Sequence, residues 1–145
     1  NRRGERGALL VGQYLQQEGV VPDLVLCSAA RRTLQTWDII RPFLPPDIGV
    51  GTTPAIYEAD VGVLFDTLSC AGDKAGSILM IGHNPGLERL TLTLCGGNGG
   101  EDLDRLRQKF PTGALAFIQL NIAVWSELAP GTGNLKRFVT PKDLV

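Results

Sequence analysis

The chain has 145 residues, enough for one domain with one sizeable core. Apolar residues make up 43% and charged residues 20%, the mixture of an ordinary globular domain. With 14 basic and 15 acidic side chains the formal charge is −1, which gives no reason to expect nucleic acid or an anionic membrane as partner.

No apolar run is long enough to span a bilayer and the first residues do not read as a signal peptide, so the cytoplasm is the expected compartment. Cys27, Cys70 and Cys95 are widely spaced and odd in number, and read as reduced thiols. The single histidine argues against a structural zinc site, and no metal or other cofactor is expected.

In chain order, Glu5 to about Gln17 predicts a helix. Ala8, Val11 and Leu15 fall at helical spacing, Leu10 and Tyr14 widen the apolar face, and Gly19 ends it. Asp23 to Cys27 is a short apolar run suited to a buried parallel strand. Ser28 is the expected cap of a second helix, lined by Trp37, Ile40 and Leu44 and closed by Pro42, Pro45 and Pro46. Val50 to Tyr57 reads as a weak strand. Asp60 then caps a third helix carrying Val61, Leu64, Phe65 and Leu68.

Ser77 to Ile81 is the second clear strand. Pro85 is expected in the first turn of the next helix, where its missing N–H costs nothing, and Leu87, Leu90 and Leu94 form that helix's buried stripe. Gly96 to Gly100 reads as a loop. Ala114 to Leu120 and Lys136 to Val139 read as late strands, with Ala123 to Trp125 a candidate extension of the former.

This order predicts an α/β fold: a three-layer sandwich with a mostly parallel central sheet, helices on both faces and an antiparallel edge. No repeat or linker divides residues 1–145, so a single domain is expected. Such a fold usually opens on a strand in the middle of its sheet. Here the chain enters a helix at once, and the expected first strand lies upstream of Asn1.

In a parallel sheet, the loops after the strands' carboxyl ends bind ligands. Two of them hold unusual residues: Cys27 to Thr36, with Arg31 and Arg32, and Ile81 to Leu87, with His83. Each follows an apolar strand and opens a helix, where backbone N–H groups and the helix dipole favour an anion. An arginine fork fits two phosphate oxygens, and a histidine can donate to a third. Each residue also has a plainer reading, His83 as a packing or capping group and the arginines as a solvated helix start.

Ser28-x3-Arg32-x3-Thr36 resembles the S-x-x-x-R-A-x-x-T signature of the histidine phosphatase superfamily, with Thr33 in place of the usual alanine. Gly82-His83-Asn84-Pro85-Gly86 resembles the second-histidine motif of its SixA-like phosphohistidine phosphatases. Arg3-Gly4, Phe110 to Ala114 and Arg137 to Pro141 are similar to further SixA-like segments, so the resemblance covers nearly the whole chain. It implies a phosphatase that hydrolyses phosphohistidine on a protein through a phosphohistidine enzyme intermediate. In the family the nucleophile is a histidine in an R-H-G or R-H-A motif, while a second arginine and a second histidine hold the phosphoryl oxygens.

By motif, those last two are Arg32 and His83. The nucleophile and its neighbouring arginine have no counterpart, so the domain is expected to lack its first strand and nucleophile loop, and the chain alone to be inactive. Many family members protonate the leaving group with a carboxylic acid. Glu58 stands in about the right place for that role, and is equally read as an acid in a helix's first turn. Asp60 is the cap, and Arg31 a surface or supporting residue. Inorganic phosphate or sulfate is expected between Arg32 and His83.

Other readings of the same residues carry less. Cys27 to Arg32 is C-x4-R, one residue short of the cysteine phosphatase spacing, in a loop without glycine. Gly96 to Gly100 follows a helix and matches no nucleotide-binding pattern. A phosphatase of a small phosphate ester, or a non-catalytic module that binds phosphate or a phosphoprotein, remains the alternative.

Overall fold

Asn1 fixes the start of the first helix: its side-chain oxygen accepts the Gly4 N–H at 2.8 Å, and α1 runs Arg2–Gln17. The helix thus begins before the apolar period does, because the cap sets its first turn. Its buried face is Gly7, Ala8, Val11, Gly12 and Leu15, and Gly19 follows at a φ of +66°.

The computed structural model describes all of residues 1–145. After α1 come β1 (Leu24–Ser28), α2 (Arg31–Ile40), β2 (Gly49–Thr53), α3 (Val61–Ser69), β3 (Ile78–Ile81) and α4 (Gly86–Cys95). Then follow α5 (Gly100–Gln108), β4 (Leu115–Leu120) and β5 (Gly133–Val139).

The first three strands form a parallel sheet in the order β2-β1-β3, with Val25 beside both Val50 and Leu79. Helices α1 and α2 cover one face, packing Val11, Leu15, Trp37 and Ile40 with Val25, Cys27 and Ile81. Helices α3 and α4 cover the other, packing Leu64, Leu68, Leu90 and Leu94 with Leu26, Ile78 and Met80. This is the α/β sandwich that the order of elements predicts. No helix is long and apolar enough to cross a membrane.

β4 and β5 pair antiparallel in a ladder of their own. Leu115 and Phe117 join the α1/α2 core with Leu79 and Ile81, while Ile118 and Leu120 join the α3/α4 core with Ile78 and Met80. β3 and β4 therefore lie in one layer between the same helices, yet no ladder joins them. Neighbours within a sheet stand about 4.8 Å apart and pair their backbone groups. The layer is interrupted between β3 and β4.

Three local expectations change. Gly100, placed in a loop, opens α5, whose buried side holds only Leu103 and Leu106. So short a stripe hardly registers as a period, although Glu101 and Asp102 in its first turn and Arg105 and Arg107 in its last are helix signals. Ala123 to Trp125 does not extend a strand, because Glu127 Oε1 accepts the Ala123 and Val124 N–H groups at 2.7 and 3.1 Å and folds a turn. β2 stops at Thr53 because Pro54 has no N–H for a ladder and starts a 3-10 turn through Ile56.

Leu106 is fully buried where α5 meets β5. Leu106→Ala is expected to cost about 2–5 kcal/mol in urea unfolding. A loss below about 0.5 kcal/mol, the size of a surface substitution, would contradict this packing.

Candidate functional site

β1 and β3 are parallel neighbours with Cys27 paired to Ile81, so the residues after each emerge side by side. Ser28 ends β1, Gly82 and His83 follow β3, and the starts of α2 and α4 flank them. The starts of α2 and α4 thus both follow the carboxyl ends of adjacent parallel strands.

Ser28 is fully buried. Its Oγ accepts the Ala30 N–H at 3.3 Å and lies 2.9 Å from His83 Nε2. This corrects the expectation that Ser28 caps α2: the N-cap position is Ala30, which has no side-chain acceptor. The Thr33 hydroxyl donates to the carbonyls of Ser28 and Ala30 at 2.9 and 2.8 Å, tying the helix start to the strand end. A threonine where the family pattern has alanine therefore has a structural role here.

His83 is half-buried, and the Tyr57 ring meets it edge-to-face at 5.3 Å. Arg32 is exposed and makes no hydrogen bond or ion pair through its guanidinium. Glu58, also exposed, sits at a φ of +49°, a left-handed conformation that costs a non-glycine residue energy. Burial holds the His83 pKa below its ordinary value, and the Arg32 charge pushes it further down while Glu58 pulls it up. Of the three residues singled out from the sequence, Arg32 and Glu58 are thus both in electrostatic reach of His83.

The surrounding loops are held by close backbone approach. A Cβ on Gly86 would lie 2.9 Å from the Ala59 carbonyl oxygen, and one on Gly82 would lie 3.0 Å from Ile56. Asp60 caps α3 as expected, its Oδ1 accepting the Val63 N–H at 3.0 Å. Pro85 occupies the N-cap position of α4, one residue before the first turn, after a cis Asn84–Pro85 bond. Asn84 donates to the Phe110 carbonyl at 2.8 Å, and Pro141 packs against both Gly7 and Gly113. Arg105 secures that last segment by bonding Asp143 at 2.8 Å and the Phe138 carbonyl at 3.2 Å.

Sequence reasoning missed the Ser28 contact to His83 and the Tyr57 ring beside it. A serine ending a strand was the only signal for the first, and the strand pairing that completes it lies in tertiary structure. Arg31 is exposed, in keeping with a surface residue. Cys27 is fully buried and burial raises its pKa, the opposite of what a thiolate nucleophile needs. No cluster of three His, Cys, Asp or Glu side chains offers a metal a set of ligands.

No protein-family model matches the chain. It is 30% identical to an uncharacterised protein of Mycobacterium leprae over 142 residues, 97% of this chain and 84% of the relative. It is 29% identical to one from Mycobacterium tuberculosis, over 97% of this chain and 87% of that protein. The chain belongs to one family with these mycobacterial proteins. Among solved structures, SixA of Nakamurella multipartitia superposes with a TM-score of 0.81 at 23% identity, covering 94% of this chain and 81% of that one. The protein histidine phosphatase SixA complexed with tungstate gives a TM-score of 0.75 at 24% identity, covering 95% and 81%. The chain has the fold of these SixA structures. Phosphoglycerate mutase from Plasmodium falciparum is similar at a TM-score of 0.68 and 17% identity, covering 95% and 84%.

The electrostatics give a direct check. The His83 ring protons, followed by NMR, should titrate below the ordinary histidine range. Arg32→Ala should raise that midpoint and Glu58→Gln should lower it, since the two charges act in opposite senses. Shifts of the reverse sign would contradict the arrangement.

Proposed function

We propose that this chain is the phosphate-holding part of a phosphatase that hydrolyses phosphohistidine on a protein substrate. The observation that supports the reading is the joining of the two loops, with Ser28 Oγ 2.9 Å from His83 Nε2 and the Arg32 charge acting on His83. Arg32 brings an unpaired planar fork of donors, and the two helix starts add backbone N–H groups. His83, with Ser28 on Nε2, brings a ring whose protonated form an arriving anion would favour. The tungstate complex of the SixA neighbour supports an oxyanion site in this fold, tungstate being tetrahedral like phosphate.

The nucleophile is proposed to be a histidine on a strand upstream of Asn1, seated in the interrupted layer between β3 and β4. Laid parallel to β3, such a strand would deliver its carboxyl end beside His83. Its imidazole would attack phosphorus, forming an N–P bond as the bond to the leaving group breaks. Arg32 and His83 would hold the phosphoryl oxygens. Water would then attack phosphorus, releasing phosphate and restoring the imidazole.

Glu58 is the proposed acid for the leaving group. Phosphohistidine asks little of it, because imidazole leaves more readily than an alkoxide, whereas a small phosphate ester would depend on it. The three free thiols, two of them buried, suit a reducing compartment and support action in the cytoplasm. A second reading, a non-catalytic phosphoprotein binder, keeps Arg32 and His83 but not turnover.

The test is turnover by the protein joined to its upstream segment. Arg32→Ala and His83→Ala should each lower kcat about 10²–10³-fold, as loss of an oxyanion donor does, with the unfolding midpoint unchanged. The 145-residue chain alone should show none. Phosphate-inhibited hydrolysis by the chain alone would remove the need for an upstream nucleophile. An upstream strand without Arg-His-Gly or Arg-His-Ala would favour the binder.

A further inference from the structure

Tyr57 is 54% exposed although its ring lies against the half-buried His83. Its backbone is well held: the Tyr57 N–H donates to the Pro54 carbonyl at 3.1 Å, and Ile56 before it is buried. Two residues later the Ala59 carbonyl meets Gly86 at the start of α4. Glu58 takes up the backbone turn at a φ of +49°. The ring stands nearly perpendicular to that of His83, with 85° between the planes and 5.3 Å between centroids.

With 54% of the residue exposed, Tyr57 keeps ring surface open to solvent beside His83. That surface adjoins His83, one of the two residues proposed to hold the phosphoryl group. A phosphoryl group held there would carry its leaving group outward, past Tyr57.

We infer that Tyr57 forms a leaving-group subsite that stacks a flat ring, selecting phosphoryl compounds of imidazole or aromatic alcohols over those of aliphatic alcohols. This rests on the phosphate-site reading given above and names the substrate class of that site. A flat imidazole gains from stacking on an aromatic face, and an alkyl chain gains less from the same surface. Tyr57 thereby separates the two substrate classes that Arg32 and His83 would serve alike. The phenol oxygen has no part in the selection, so phenylalanine should serve as well.

The experiment measures binding to the 145-residue chain by calorimetry, with phenylphosphonate, propylphosphonate and inorganic phosphate as probes. Phenylphosphonate should bind about 2- to 10-fold more tightly than propylphosphonate, the ratio that an aromatic pair supplies. Tyr57→Leu should erase that preference and Tyr57→Phe should keep it, with inorganic phosphate binding unchanged in both. Equal binding of the two phosphonates to the unaltered chain would overturn the inference, as would a preference that survives Tyr57→Leu. Weaker inorganic phosphate binding in Tyr57→Leu would also overturn it, making Tyr57 a support for His83 only. If none of the three anions binds, the phosphate-site reading fails, independently of Tyr57.

Discussion

The pairing of β1 with β3 decides where Ser28, Arg32 and His83 lie. Because Cys27 and Ile81 are partners in a parallel ladder, Ser28 and the Gly82-His83 step leave the sheet together. The 2.9 Å contact between Ser28 Oγ and His83 Nε2 then joins the two loops. Thr33 fastens α2 to the same strand end, and Gly86 lets α4 approach the Glu58 loop. Two helix starts, one arginine and one histidine are thus fixed by a short stretch of backbone pairing at the bottom of the site.

The electrostatics of this end run against ordinary folding preferences. α2 begins with Arg31 and Arg32 at the positive end of its dipole, with no acidic residue in its first turn and no side-chain cap. Arg32 keeps its guanidinium unpaired, burial and Arg32 together disfavour a charged His83, and Glu58 holds a left-handed backbone conformation. Such departures from local rules tend to gather where a fold serves a ligand. An oxyanion between the two loops would relieve the first two, by pairing with Arg32 and by favouring a charged His83.

Much of this was legible in the sequence, for physical reasons. Helices α1 to α4 and strands β1 and β3 bury enough apolar residues at regular spacing to announce themselves, and Asp60 caps α3 where its side chain can reach the Val63 N–H. The two loop motifs stood out because their residue types suit an anion at a helix start. What was hidden depended on tertiary contact. α5 buries two leucines against β5, too few to make a period. The antiparallel pair, read as an edge of the parallel sheet, has its own ladder because nothing in the chain bridges β3 to β4. Ser28 was read as a cap because its partner lies 55 residues away. Tyr57 lies outside β2 because Pro54 stops the strand and turns the chain before it.

The central claim is that Arg32 and His83 form one anion site between two loops. Hydrogen exchange of the chain with and without inorganic phosphate tests it most directly. Slowed exchange confined to residues 28–33 and 82–87, and lost in Arg32→Ala, is the predicted result. Unchanged exchange in both loops at saturating phosphate, with the fold intact, would contradict it.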